Sequence, residues 1–494
     1  MQTAGIALAQ ALVAALARTL RAQVIETHIS WVLLTRELAY KIKKPVQLPF
    51  VDYGTLDARR GFCEEEVRLN RRLAPSLYIG VSRITGTHRL PEVDGPGPVL
   101  EYAVRMHRFP PGALFGERLA ADELKPADVD ALAALLGEFH LRAPQTAADN
   151  GFGSVEGRRR VALAALAGAA PLAEPRHLAR VRDWLEAQAE SLAPLWRARL
   201  DAGRVREGHG DLHLDNVVSL DSGVAAFDCI EFDPALRWID VIDDIAFPVM
   251  DFTARDRPDF AFRLLNGWLD RTGDHEAMPA LRFSVVYRAL VRAQVEHLRG
   301  AQRAQSARRF VETARLWTEP PSPRLCITHG LPGSGKTFQS QRLLEREGAI
   351  RLRSDVERKR LFGLGMLEDS RSHGLDLYNA EANARTYEYL FTTARMLLRA
   401  GWPVVVDAAF LRRGERARAQ ALAHELRVPY AILDCQAPPE VLRQRLAARR
   451  ADASEADGAV LEKLLSIAQP LEPDELASVR QADDDATPAG VPAP

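Results

Sequence analysis

Eight consecutive residues, Gly330-Leu331-Pro332-Gly333-Ser334-Gly335-Lys336-Thr337, constrain this chain more than any other segment. They fit GxxxxGK[ST] in full and lie between a short apolar run, 324–328, and a helical pattern starting near Phe338. The glycines let backbone N–H groups turn inward around phosphate, and the following helix N-terminus adds its positive dipole end. Lys336 reaches the terminal phosphates, and the Thr337 hydroxyl can ligate Mg²⁺. Gly330, Gly333, Ser334, Gly335, Lys336 and Thr337 are therefore the expected ATP-binding set. Strand and helix patterns alternate after 324, which predicts an α/β domain with a doubly wound parallel sheet.

Carboxylates follow where such a sheet places its ligand site, at the ends of strands. Val404-Val405-Val406-Asp407 reads as a buried strand ending in an acid, and Asp407 is the candidate Mg²⁺ holder, directly or through water. Asp355 ends the run 349–355 and precedes a basic helix, 356–361. It is either a general base that takes the proton of an attacking hydroxyl or a helix N-cap. Arg445 and Arg449 are one helical turn apart, so both suit a mobile lid that neutralises charge during transfer; a solvated basic helix face is the alternative. With Ser354-Asp355, Arg358 and Val406-Asp407, these features resemble the small P-loop kinases over 324–469. That group contains gluconate kinase-like enzymes and polynucleotide 5′-hydroxyl kinases. The resemblance assigns activation of the acceptor hydroxyl to Asp355.

The first half carries its own signal. His209-Gly210-Asp211-Leu212-His213-Leu214-Asp215-Asn216 has the H-x-D-x-x-x-x-N spacing of a phosphoryl-transfer catalytic loop. An Asp at that place takes or orients the acceptor proton, and the Asn holds a metal ion against the phosphates. Val224-Ala225-Ala226-Phe227-Asp228 then reads as a strand ending in a second metal-holding Asp. The set resembles the aminoglycoside phosphotransferase family, with its protein-kinase-like α+β fold, over 27–247. The resemblance implies Asp211 as catalytic base and Asn216 and Asp228 as Mg²⁺ ligands, with Glu231 assisting Asp228. An acid among Asp240, Asp243 and Asp244 would brace the catalytic loop.

Leu38-Ala39-Tyr40-Lys41-Ile42-Lys43 puts two lysines on one face of a strand. Lys41 is the choice for the phosphate contact and Lys43 the second candidate; Glu66 is the expected partner acid, with Glu65 the alternative. A departure is plain, because Thr27-His28-Ile29-Ser30-Trp31 stands where kinases carry a glycine-rich loop. Ser30 and backbone groups are the available phosphate cover.

The Pro-rich stretch Thr318-Glu319-Pro320-Pro321-Ser322-Pro323 divides the chain into a domain at 1–317 and another at 324–480, with a disordered Asp/Ala/Pro tail at 481–494. The expected architecture is an α+β protein-kinase-like domain followed by an α/β P-loop domain. Strands are expected at 29–34, 38–42, 81–85, 99–106 and 223–230, with helices over 63–73, 121–200 and 283–317. A net charge of −1 gives no pull toward nucleic acid or anionic membrane. The apolar 1–20 run has its arginines, Arg18 and Arg21, after rather than before it, which predicts an amphipathic helix and no membrane partner. Four separate cysteines, none in a CxxC pair, predict a reducing, cytoplasmic setting.

The function expected is a bifunctional ATP- and Mg²⁺-dependent kinase acting on small-molecule hydroxyl acceptors. Two alternatives stand beside it. One is a nucleotide-switched regulatory protein. The other is a nucleic-acid 5′-hydroxyl kinase, for which Arg351, Arg353, Arg358, Lys359 and Arg360 would supply a basic groove.

Overall fold

The computed structural model describes residues 2–48, 51–147, 150–320, 322–377, 379–448 and 453–480. Arg449 and the 481–494 tail lie outside the described residues. The chain forms two compact units, Met1–Gly157 with Pro194–Pro248, and Arg158–Ala193 with Val249–Pro494.

The first unit is built on a six-stranded sheet in the order Gln23–Glu26, Ser30–Leu34, Leu38–Lys43, Val99–His107, Tyr78–Gly86, Pro91–Val93, with every pairing antiparallel. The alternating apolar residues of these strands explain the two-faced burial. Leu12, Val13 and Leu16 of the helix Gln2–Leu20 pack with Trp31, Leu33 and Ile42 to form one core. Cys63 and Val67 of the helix Leu56–Asn70 pack with Tyr78 and Val104 to form another. That helix starts well before the expected 63 because Thr55 caps it, its Oγ1 accepting from Ala58 N at 3.1 Å. The expected strand over 223–230 is only Gly223–Ala226, since Asp228 takes the left-handed conformation (φ 64°) and ends the extended run. Between the strands expected at 81–85 and 99–106 lies a short further strand, Pro91–Val93.

The second unit contains a parallel sheet in the order Ile350–Arg353, Val404–Asp407, Leu325–His329, Tyr430–Asp434, Val479–Arg480. Val404 to Val406 are buried, as continuous apolar runs in parallel sheets must be. The expected single helix over 283–317 is two, Met278–Leu298 and Ala304–Trp317, because Gly300 at φ 104° interrupts it. The helix Pro258–Thr272 lies along the edge strand of this sheet. Asn266 Oδ1 accepts from Arg351 N at 2.7 Å, and its Nδ2 donates to Ala349 O at 3.0 Å. Phe262 stacks on Trp317 and meets Trp402 edge-on, and Trp402 Nε1 donates to Met278 O at 3.1 Å. The helices at 258–317 are thus packed with the parallel sheet in one unit. No helix among the described residues is long and apolar enough to cross a membrane.

Candidate active sites

In the first unit the loop holding Asp211 is fixed by hydrogen bonds at nearly every residue. Asp244, fully buried at the start of the helix Val241–Ala254, accepts from His209 N at 2.7 Å and Gly210 N at 2.9 Å, and lies 3.2 Å from His140 Nε2. Of the three candidate braces, Asp244 meets this loop, whereas Asp240 pairs with Arg199 at 2.7 Å. Burial opposes ionisation of Asp244, but its hydrogen bonds with the His140 side chain and the His209 backbone N–H outweigh it and hold the carboxyl well below its usual range. His209 Nε2 lies 2.9 Å from Phe227 O, a group that can only accept, so Nε2 carries the hydrogen. Nδ1 is then free to accept from Asp211 N at 3.3 Å. Burial pushes the His209 imidazole below its usual value, against the pull of Asp244 and Asp211, which favours this neutral form. Gly210 has φ 86°, and a Cβ there would stand 2.6 Å from Leu236 O, so this position requires glycine.

Asn216 Nδ2 donates to Asp211 O at 2.9 Å, which leaves its Oδ1 as the atom able to meet a cation. Asp228 presents its side chain 45 % exposed, and Lys41 touches it directly. Lys41 Nζ also donates to Glu66 Oε1 at 2.9 Å. Lys43 Nζ donates to the other oxygen of the same carboxylate at 2.7 Å. Burial opposes charge on Glu66, yet the two lysines outweigh it and hold the carboxyl well below its usual range. Glu65 points elsewhere, to Arg68 at 2.7 Å and Arg237 at 2.9 Å. Two expectations differ from what is seen. Glu231 faces Lys43 and Tyr53 rather than assisting Asp228, because its side chain is turned into the core. Ser30 is buried at 1 % exposure, its turn being closed by Thr27, and so offers no phosphate cover.

In the second unit the glycine loop wraps the start of the helix Lys336–Glu347. Gly330, at φ 142°, has Cys435 O only 2.2 Å from where a Cβ would stand. Lys336 Nζ donates to Leu331 O at 2.9 Å, and Ser334 is buried within the loop. Asp407, 5 % exposed at its strand end, accepts from Ser340 Oγ at 3.1 Å. Arg445 NH1 donates to Gly333 O at 3.0 Å. A cavity of about 750 Å³ joins these groups; Gly333, Gly335, Lys336, Thr337, Asp355 and Asp407 line it.

The same cavity is lined by residues that the motifs do not reveal: Asn383, Tyr387, Glu415 and Arg412. Asn383 and Tyr387 sit one turn apart on the helix Ala380–Arg399, and that spacing was the available signal. Asn383 also accepts from Arg358 NH2 at 3.3 Å. Burial, with Glu415 beside it, pushes the Tyr387 hydroxyl far above its usual value, so it stays protonated.

Of the five cations proposed for a basic groove, Arg353 and Arg358 line this cavity, while Arg351, Lys359 and Arg360 do not. Arg351 and Arg353 both turn to Asp270, at 3.2 and 3.4 Å. Lys359 pairs with Glu455 at 2.8 Å, Arg360 donates to Asp270 O at 2.6 Å, and Arg358 donates to Leu377 O at 2.8 Å. Each of the five thus has a hydrogen-bond or ion-pair partner within the fold.

Residues 57–283 match the family described as "Phosphotransferase enzyme family", and residues 325–471 match the family described as "AAA domain". Uncharacterized proteins of Mycobacterium tuberculosis and Mycobacterium bovis are each 30 % identical over 447 residues, covering 87 % of this chain and 87 % of theirs. Among solved structures, a gluconokinase from Sinorhizobium meliloti is 17 % identical, with 32 % of this chain and 81 % of that one covered and a TM-score of 0.24. A sugar kinase from Janibacter is 21 % identical, with 32 % and 86 % covered and a TM-score of 0.25. A choline kinase from Cryptosporidium parvum is 11 % identical, with 60 % and 86 % covered and a TM-score of 0.37. This chain belongs to the family of those mycobacterial proteins, with a phosphotransferase-family region at 57–283 followed by an AAA-domain region at 325–471.

Proposed function

We propose that this protein is a bifunctional, Mg²⁺-dependent phosphotransferase in which each half moves the γ-phosphoryl group of ATP to a hydroxyl of a small molecule. The observation that carries this reading is a duplicated inventory on one chain. A phosphate-seeking lysine, a metal-facing carboxylate and a candidate base occur as Lys41, Asp228 and Asp211, and again as Lys336, Asp407 and Asp355. In this reading the first catalytic set falls within 1–317 and the second within 324–480, on either side of the 318–323 linker, while the 258–317 helices pack with the second set's sheet; four buried free thiols suit a reducing cytoplasm.

In the first site Lys41, backed by Glu66, exchanges Asp228 for phosphate oxygens. Asp211 takes the acceptor proton while the loop bonds hold it in place. Asp228 and the Asn216 Oδ1 form an all-oxygen donor pair that fits a hard cation. In the second site Lys336 leaves Leu331 O for the terminal phosphates, Ser340 steadies Asp407, and Asp355 takes the acceptor proton. Arg445, already against Gly333 O, approaches the migrating charge with Arg449. In both, the acceptor oxygen bonds to the γ-phosphorus. The bond from that phosphorus to the β–γ bridging oxygen breaks, its electron pair leaving on ADP. Mg²⁺, when bound, neutralises the β- and γ-oxygens.

The test is ADP release by the full chain with Mg²⁺ and a panel of sugars, sugar acids, aminoglycosides and oligonucleotides. An acceptor that stimulates turnover should lose that stimulation by about 100-fold or more in Asp211→Ala or in Asp355→Ala, according to the half that uses it. ATP binding that depends on Lys336, with turnover indifferent to both aspartates, would replace the kinase reading with a nucleotide switch.

A further inference from the structure

Two lysines meet Glu66, and the second has no route to a phosphate. Lys41 and Lys43 are two apart on one strand, so both side chains leave the same face. Lys41 is 13 % exposed, and its second partner, Asp228, is 45 % exposed. Lys43 is 0 % exposed, and its second partner, Glu231, is 4 % exposed. Glu231 accepts a further hydrogen bond from Tyr53 Oη at 2.6 Å. The Glu66 carboxylate therefore carries an open rung through Lys41 to Asp228 and a closed rung through Lys43 to Glu231.

The closed rung ties the same two pieces of chain as the open one. Lys43 follows Lys41 on the strand, and Glu231 follows Asp228 after its turn. A single lysine would leave Glu66 without a partner whenever that lysine turned toward phosphate, and an unpaired buried carboxylate is costly. Lys43 removes that penalty, since its bond to Oε2 persists while Lys41 is engaged elsewhere. Burial opposes charge on Lys43, but Glu231 and Glu66 outweigh it and keep the ammonium protonated.

On the reading that Lys41 and Asp228 serve a nucleotide, we infer that Lys43, Glu231 and Tyr53 form a closed positioning cluster. It fixes Glu66 and the Asp228 turn for phosphate and metal without touching the nucleotide.

The experiment is calorimetric titration of MgADP, and separately adenosine, into the full chain carrying Lys336→Ala, which removes the lysine of the other phosphate site. Lys43→Met, which removes the charge-assisted hydrogen bonds to both Glu66 and Glu231, should weaken MgADP by about tenfold or more and leave adenosine unchanged. Tyr53→Phe and Glu231→Gln, gentler changes that are read even if Lys43→Met does not fold, should each weaken MgADP by about threefold or more, again sparing adenosine. A merely structural role would weaken both ligands together, and that result overturns the inference. A Lys43→Met loss with Tyr53→Phe and Glu231→Gln both silent would make Lys43 a direct phosphate contact and also overturn it. MgADP binding indifferent to all three residues overturns the inference alone. No MgADP binding by the Lys336→Ala chain overturns the nucleotide reading of this half and the inference with it.

Discussion

Asp244→Asn tests how the catalytic loop of the first half is held. Asp244 has two oxygens for three partners: His209 N at 2.7 Å, Gly210 N at 2.9 Å and His140 Nε2 at 3.2 Å. Asparagine keeps one acceptor oxygen. If that oxygen stays with His209 and His140, the new NH₂ faces the Gly210 N–H, donor against donor. One charge-assisted bond is lost and a buried N–H is left unmet, together about 3 kcal/mol. The corresponding fall in melting temperature is about 6–12 °C. Calorimetry of parent and variant across pH adds a second readout. The folded Asp244 carboxyl is held below its usual value, so its contribution is present above the ordinary Asp pKa and lost as pH falls through the depressed one. The deficit of the variant should be constant above about pH 5 and narrow as the pH drops below about 4. A melting temperature within about 2 °C of the parent, or a deficit that does not narrow in acid, would refute the bracing argument.

Three further outcomes are expected. Gly330→Ala should remove ATP binding from the P-loop half by about 100-fold or more, because the added methyl collides with Cys435 O; MgATP titration reads this. Leu16→Ala should cost about 3 kcal/mol in denaturant unfolding, since Leu16 is fully buried against Trp31 and Ile42 under the antiparallel sheet. Arg445→Ala should lower kcat of the P-loop half by about tenfold or more with little change in KM for ATP, as measured with an accepted substrate.

The parts of both sites that are local in the chain were legible from residue spacing. The 330–337 loop, the 209–216 loop and the strand-end acids each bring their chemistry within a few residues, because a turn has to place them together. What was not legible depends on contacts far apart in sequence. The partnership of Lys43 with Glu231 spans 188 residues, and no local pattern marks it. The five cations from Arg351 to Arg360 read as a basic groove because a charge run shows no partners. Asp270 and Glu455, which engage four of them, lie on other elements. The early start of the 56–70 helix was hidden by weak apolar periodicity in its first turns, and only Thr55 announces it.

Asn266 has a bearing on where this gene can be cut. Its amide occupies the ladder positions that a neighbouring strand would fill beside Ala349 and Arg351. The Pro-rich stretch at 318–323 invites separation there, yet a fragment beginning at 324 would leave that N–H and C=O open along an exposed strand. Trp402 would lose its acceptor at Met278 and its aromatic neighbours Phe262 and Trp317 in the same stroke. Open strand edges beside uncovered aromatic rings recruit other chains. The P-loop half should therefore travel in recombinant fragments only with the 258–317 helices attached, and its transplantation without them should yield aggregate rather than enzyme.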